Sequence, residues 1–422
     1  MRLLHLLCYC EPEITSSSYL IDDRNEAFAR EGIETVVFTP TPTRGVSKEI
    51  RKEYKKRRTE TKQGGMRIIH RFPLFREGSN TVMRALRYML MCLMEFFLAI
   101  FAKDARRCEA LFVFSTPPIQ GAMAAMVKKV RGLPIIFVLD DIFPDSLVGT
   151  GIAKKDGFLW KIGRVIEDFT YKNVDKIIVI SEDFKRNIMA KGVPEKKIEI
   201  IYNWVDAQVV PVADDKNTLF EEFDISREKF RVVYAGNLGN AQNINIILDS
   251  AALLLDKEDI EFVIFGSGGL EDKIRLRIEK EGLVNVRLLP FQPYKRVSQV
   301  YSLGNVGIVS CKAGLGGSAM PSKTWNIMAA ARPVIVSFDD GELRDIIEHN
   351  HCGIFTPADN KDAFCNAILR LHDDKKLCQE MGRNGQTFVI QHLTKEVGTQ
   401  QYIQAIKSIA KSNKSKNEKN DK

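Results

Sequence analysis

The residues at 310–333, S-C-K-A-G-L-G-G-S-A-M-P-S-K-T-W-N-I-M-A-A-A-R-P, carry the densest chemistry in the chain. A glycine-loosened loop passes through Pro321, Ser322 and Lys323 into a helix of small apolar residues. Such a start gathers backbone N–H groups, a hydroxyl and an amine where an anion can be held. Two other stretches repeat the arrangement after an apolar strand: Y-A-G-N-L-G-N at 234–240 and F-G-S-G-G at 265–269. Three strand-to-glycine turns, each at a carboxyl end, predict one pocket for a phosphorylated ligand. In that pocket Gly236, Gly239, Gly266 and Gly268 let the backbone approach closely, Ser322 donates a hydrogen bond, and Lys323 meets the charge of a bound phosphate. Glu342, in S-F-D-D-G-E-L-R at 337–344, is a secondary candidate for a ligand hydroxyl, as is Asp339. The alternative for Glu342 is a helix-start acid complementing the dipole.

A second cluster is acidic. L-D-D-I-F-P-D at 139–145 follows an apolar strand, so Asp141 and Asp145 are placed to orient an acceptor hydroxyl or take its proton. Acids that only cap a loop and a helix are the plainer reading.

The elements that must position these groups alternate short apolar runs with longer helical patterns, the signature of βαβ units and parallel sheets. At 422 residues and 45% apolar content the chain exceeds one ordinary core, and two α/β domains are expected. Strands fit 2–8, 34–39, 111–115, 134–139 and 176–180 in the first half, and 231–235, 260–265, 285–289, 306–310, 333–337 and 353–356 in the second. The domains are expected at 1–205 and 206–393, with a hinge near 205–215, a helix at 394–410 crossing back to the first, and a disordered basic tail at 411–422.

The net charge of +8 is local. Residues 44–62 hold nine basic and three acidic side chains, and 407–422 hold six and two, so the rest is close to neutral. That argues against a nucleic-acid footprint and for a basic face toward phosphates or an anionic membrane. The apolar segment 88–101, with a central Glu95 and flanking arginines, is too short to span a bilayer; it is either an interfacial helix or a buried one. The eight cysteines show no C-x-x-C spacing and the six histidines no ligand spacing, which points to reduced thiols and no metal. The opening M-R-L-L-H-L-L-C-Y-C runs into Glu11-Pro12-Glu13 without a small-residue cleavage site and reads as a buried strand rather than an export signal.

The chain resembles the retaining, sugar-nucleotide-dependent glycosyltransferases of family 4, in their capsule, O-antigen and colanic-acid branch. The resemblance rests on residues 16–19, D-D-I-F-P-D at 140–145, I-Y-N-W-V-D at 201–206, G-N-L-G at 236–239, P-S-K at 321–323 and A-R-P-V-I at 331–335. It implies the GT-B fold, two facing Rossmann-like domains with parallel sheets and an interdomain cleft, the second holding the donor nucleotide and the first the acceptor. It also implies a UDP-sugar as co-substrate, no metal or other cofactor, a saccharide or polyprenyl-linked saccharide as acceptor, and a peripheral place on the cytoplasmic face of the membrane. Ser18, with Asp141 and Asp145, falls on the acceptor side.

Two departures from the family pattern stand out. The usual pair of glutamates falls at Ser318 and Asn326, and the usual arginine and lysine after the first glycine turn fall at Asn237 and Gln242. Asn326 still offers a hydrogen bond to ribose, and more of the phosphate charge falls to Lys323. A catalytically silent nucleotide-binding partner, or an epimerase of the same fold, is the competing reading; a phosphorylase would need a pyridoxal-phosphate lysine for which no pattern is evident.

Overall fold

The computed structural model describes residues 1–13, 18–78, 80–149 and 153–420. The chain divides into two compact units, one of Met1–Tyr202 with Glu396–Lys422 and one of Asn203–Lys395.

Unit 1 holds β1 (Arg2–Leu6), β2 (Glu34–Pro40), β3 (Thr59–Lys62), β4 (Arg67–Phe72), β5 (Ala110–Phe114), β6 (Ile135–Leu139), β7 (Lys176–Val179) and β8 (Ile198–Ile200), in the order β3-β4-β2-β1-β5-β6-β7-β8. All neighbours are parallel except β3 with β4. β5 (A-L-F-V-F) and β6 (I-I-F-V-L) are buried at every position, as a parallel sheet covered on both faces requires. Counting helices of seven residues or more, the Met1–Tyr202 part of the unit contains α1 (Ser18–Arg30), α2 (Lys48–Lys56), α3 (Thr81–Phe101), α4 (Gln120–Arg131), α5 (Phe158–Asn173) and α6 (Glu182–Ala190). Right-handed crossovers place α3 to α6 on one face of the sheet and α1 on the other.

Unit 2 is a six-stranded, fully parallel sheet of order β11-β10-β9-β12-β13-β14, built from β9 (Phe230–Asn237), β10 (Ile260–Ser267), β11 (Val286–Pro290), β12 (Val306–Ser310), β13 (Val334–Phe338) and β14 (Gly353–Pro357). Successive residues of β9 serve opposite cores: Val232 packs with Ile247, Ile264 and Phe364, and Val233 with Phe220, Val263 and Leu303. Its helices are α7 (Ile244–Leu253), α8 (Glu271–Glu281), α9 (Val297–Leu303), α10 (Lys323–Ala329), α11 (Glu342–His349), α12 (Lys361–Asp373) and α13 (Lys375–His392). The order changes direction between β9 and β12, which is where a doubly wound sheet opens a crevice for its ligand.

Several elements differ from the sequence reading. The basic stretch 44–62, expected as a loop, contains α2, capped by Ser47 accepting from the Ile50 N–H at 3.3 Å, and β3. β4 (R-I-I-H-R-F) was hidden by its arginines: Arg67 and Arg71 are 1% and 5% exposed, with Arg67 paired to Glu11 at 2.9 Å and Arg71 to Glu60 at 3.0 Å. β8 is too short to announce itself. α13 carries Gly382 and Gly385, which weaken a helical pattern. Both are there for contact: a Cβ at Gly382 would lie 2.3 Å from the Ala331 carbonyl oxygen, and one at Gly385 3.0 Å from Met328. The last helix, α14 (Lys395–Asn420), runs through most of the stretch expected to lack order.

Candidate active site

β9 ends in Gly236 and Asn237, directly beside the carboxyl end of β10, with Gly236 in register with Gly266 and Asn237 with Ser267. Gly236 has φ 151° and Gly268 φ 156°, backbone that L side chains rarely adopt. At Gly236 a Cβ would stand 3.1 Å from Lys323 Nζ, so the missing side chain is the room the lysine occupies. At Gly268 it would strike Asn237 Oδ1 and the Leu238 carbonyl oxygen, each at 2.7 Å. Gly266 has a different part: it is buried, and Leu238 fills its space, so it packs the two turns together instead of facing a ligand.

Lys323 is the first residue of α10. Its Nζ lies 4.2 Å from the centre of the Tyr234 ring and donates to the Tyr234 hydroxyl at 3.1 Å, and that hydroxyl donates to the Asn237 carbonyl at 2.8 Å. Burial lowers the Lys323 ammonium to about 8, an effect partly opposed by the Cys311 thiol. Among the described residues no carboxylate pairs with it, so an arriving diphosphate would find a cation whose charge is unmet. Tyr234 is the member of this group that sequence reasoning missed; its one signal was its place two residues before the first glycine.

Asn237 Nδ2 donates to Gln242 Oε1 at 3.4 Å, over Gly239, whose Cβ would meet both side chains within 3 Å. Two neutral amides thus engage each other close to Lys323. Ser322 is exposed and makes no side-chain cap bond to α10, and Asn326 lies half-buried one turn further on. Glu342 is 5% exposed at the start of α11, after β13.

The glycine loop between β12 and α10 is tied down by two carboxylates. Asp339 accepts from Gly314 N–H at 3.0 Å and Gly316 N–H at 2.7 Å, and Asp359 accepts from Ala313 N–H at 3.3 Å and from Asn243 Nδ2 at 2.5 Å. Ser310 Oγ donates to the Gln242 carbonyl at 2.6 Å and Lys312 N–H to the Ala241 carbonyl at 2.9 Å, joining this loop to the first glycine turn. Asp339, considered for a ribose contact, is therefore occupied in shaping the loop. Ser318's side chain lies outside the described residues.

In unit 1, Ser115 Oγ at the end of β5 accepts the N–H groups of both Asp140 (3.1 Å) and Asp141 (3.2 Å) at the end of β6. Burial raises Asp140, against the pull of Arg24. Asp141 keeps a solvent-exposed surface, but thinned hydration and then the Asp140 charge lift its carboxyl to about 6. Asp145 is engaged elsewhere: it accepts from Lys191 at 2.8 Å, Trp160 at 3.3 Å and Asn187 at 3.4 Å, which, against its partial burial, hold it below the usual carboxylate range. The structure thus separates Asp141 from Asp145 in role, one open and one bound into the α5–α6 packing. Ser18 Oγ donates to the Glu13 carbonyl at 3.3 Å at the start of α1; Ser16 and Ser17 lie outside the described residues.

Comparison with known proteins bears on the family and the fold. Residues 21–209 match the model for Glycosyltransferase Family 4 and residues 215–388 that for Glycosyl transferases group 1. The chain is 24% identical over 343 residues to the putative colanic acid biosynthesis glycosyl transferase WcaI of Escherichia coli, covering 80% of this chain and 83% of that protein. It is 25% identical over 266 residues to the probable glycosyltransferase WbjE of Pseudomonas aeruginosa, covering 63% and 66%. Over 217 residues it is 24% identical to the UDP-Gal:alpha-D-GlcNAc-diphosphoundecaprenol alpha-1,3-galactosyltransferase of Escherichia coli, 50% and 55% of the two chains. Among solved structures, sucrose-phosphate synthase from Thermosynechococcus elongatus superposes with TM-score 0.76 at 15% identity over 97% of this chain and 99% of that one. Anabaena HepE in complex with UDP gives 0.72 at 14%, over 97% and 100%. These likenesses show the GT-B class of fold, two parallel-sheet α/β domains. The chain belongs to the glycosyltransferases, with a family 4 domain in its first half and a group 1 domain in its second.

Proposed function

We propose that the chain moves a hexosyl or N-acetylhexosaminyl group, with retention and without a metal, from a UDP-sugar to a lipid-linked or growing saccharide in surface polysaccharide biosynthesis. The observation that carries the reading is Lys323 lodged over Gly236 at the switch point of unit 2. As the bond from the anomeric carbon to the diphosphate oxygen breaks, negative charge grows on the diphosphate and Lys323 offsets it. The acceptor oxygen bonds to the anomeric carbon, and its proton leaves to the departing phosphate or to Asp141, which orients the hydroxyl. Anabaena HepE with bound UDP supports the choice of base, the diphosphoundecaprenol-directed relative supports a polyprenyl-linked acceptor, and WcaI supports the polysaccharide setting. Such an acceptor places the enzyme peripherally on the cytoplasmic face of a membrane.

The test is a thermal-shift panel of UDP, GDP, dTDP, ADP and CMP, with and without a chelator, on the wild type and on Lys323→Ala. A ligand at about a hundred times its dissociation constant stabilises by roughly 2.7 kcal/mol. A UDP-selective, chelator-insensitive shift that the variant loses is expected. No shift with any nucleotide would overturn the donor-site reading, and a shift without sugar transfer would favour the silent nucleotide-binding partner, to which the amides at Asn237, Gln242 and Asn326 point.

A further inference from the structure

Helix α3 buries two of its three charged side chains and exposes much of its apolar surface. Arg87 and Glu95 are both fully buried: Arg87 donates to the Phe75 carbonyl, and Glu95 accepts from Gln120 at 3.2 Å. Meanwhile Leu86, Met89, Leu90, Leu93, Phe97 and Phe101 are 38–63% exposed. The next two helices continue the pattern. α4 exposes Met126 and Val130, and α5 exposes Phe158, Leu159, Ile162 and Val165. α3 packs on α4 and α4 on α5, so these outward faces adjoin on one side of the unit 1 sheet. Of the twenty-four exposed large apolar side chains among the described residues, fourteen are on these three helices. That is a concentration, where an ordinary surface scatters them.

Charge decides the occupant. The described part of α3 has no exposed acid, and the turn after it presents Lys103, Arg106 and Arg107, all exposed and none paired with a carboxylate among the described residues. Lys154, Lys155 and Lys161, with Asp156 the one exposed acid among them, do the same just before and within the first turn of α5. A second copy docked on this face would bring like charges together. A bilayer instead takes apolar side chains into its acyl boundary and cations at its headgroups. No helix among the described residues is long and apolar enough to cross a membrane, which leaves a surface contact as the fit.

We propose that the outward faces of α3, α4 and α5 form the docking surface of this chain on an anionic lipid bilayer. The inference rests on the reading that the enzyme works at a membrane, and it assigns that contact to three helices, with the basic α2 outside it.

Flotation of the full chain with phosphatidylcholine vesicles containing about 30% phosphatidylglycerol tests it. The wild type should float, and should do so several-fold less with phosphatidylcholine alone. Leu93→Glu with Phe97→Glu, and separately Phe158→Asp with Ile162→Asp, should each cut the bound fraction by about tenfold or more. Lys52→Glu with Lys55→Glu, on α2, should change it less than about twofold. The UDP thermal shift should persist in every variant, so that loss of lipid binding is separated from loss of fold or of the nucleotide site. Wild-type protein that stays with neither vesicle, helix variants that float like wild type, or an α2 pair that alone abolishes flotation would each overturn the proposal. So would a wild-type dimer that the α3 variant turns into a monomer.

Discussion

At the carboxyl end of the unit 2 sheet a cation is held partly out of water against an aromatic ring, whereas at the carboxyl end of the unit 1 sheet two acids are held side by side over one hydroxyl. Both sites use a parallel sheet's strand ends, but their electrostatics run oppositely. Lys323 is brought down toward neutrality by burial; Asp141 is brought up toward neutrality by burial and by Asp140. The comparison teaches that each strand end holds a group whose charged form is poorly solvated; under the proposed function a diphosphate would complete the lysine and a hydroxyl proton the acid.

The comparison can be broken most sharply at Asp141. Asp141→Asn is expected to lower kcat by roughly 10²–10⁴-fold while leaving the UDP thermal shift intact; a loss confined to affinity would remove Asp141 from the acceptor side. For the wild type, kcat should fall as pH drops through about 6, where Asp141 takes up its proton. The stability sign is the reverse of an ion-paired acid. Because the folded pKa is raised, the carboxylate weakens the fold above about 6 and that cost disappears in acid, so Asp141→Asn should not lower the melting temperature at neutral pH.

Next in size is Lys323→Ala, expected to weaken UDP binding by about 1.5–3 kcal/mol, roughly 10- to 150-fold in titration calorimetry. Lys323→Met, which keeps the packing on Tyr234, should lose nearly as much if the charge is what matters. Proton linkage gives a finer test. A lysine lowered to about 8 leaves the folded protein short of a proton between pH 8 and its ordinary value, so stability should rise with pH across that window. UDP should restore the charge, and calorimetry near pH 8.5 in buffers of different ionisation enthalpy should show uptake of a fraction of a proton. The smallest effect is expected of Asn237→Arg, which adds a second cation beside the first: UDP affinity should improve by about 0.5–1.5 kcal/mol and the proton uptake should shrink.

The glycine turns and Lys323 were legible because apolar runs that end in glycine have few structural readings, and the helix after P-S-K has an unmistakable small-residue composition. What the sequence withheld depends on partners far away along the chain. Tyr234 matters through a lysine 89 positions later, and Asp339 and Asp359 through backbone N–H groups of a loop that looked merely flexible. Asp145 looked like the equal of Asp141 until Lys191, from beyond α6, claimed it. β4 was invisible because a buried arginine reads as polar until its glutamate is known, and α13 because its glycines are there for the neighbouring segment, a reason its own pattern does not record.

α14 returns to unit 1 after the chain has built all of unit 2. There the Tyr402 hydroxyl accepts from Arg24 at 3.1 Å, the Arg24 guanidinium lies 4.9 Å from the Tyr402 and Phe114 rings, and Tyr402, Ile403 and Ile406 are buried. During synthesis, domains fold roughly in the order they emerge. Unit 2 can close as soon as its own residues leave the ribosome, but unit 1, whose strands precede those of unit 2, must wait with the face around Arg24 uncovered until α14 is made. A nascent chain stalled before α14 would then carry a finished unit 2 and an unfinished unit 1, and a truncation that removes α14 would lodge its damage in the unit whose strands were made before those of unit 2.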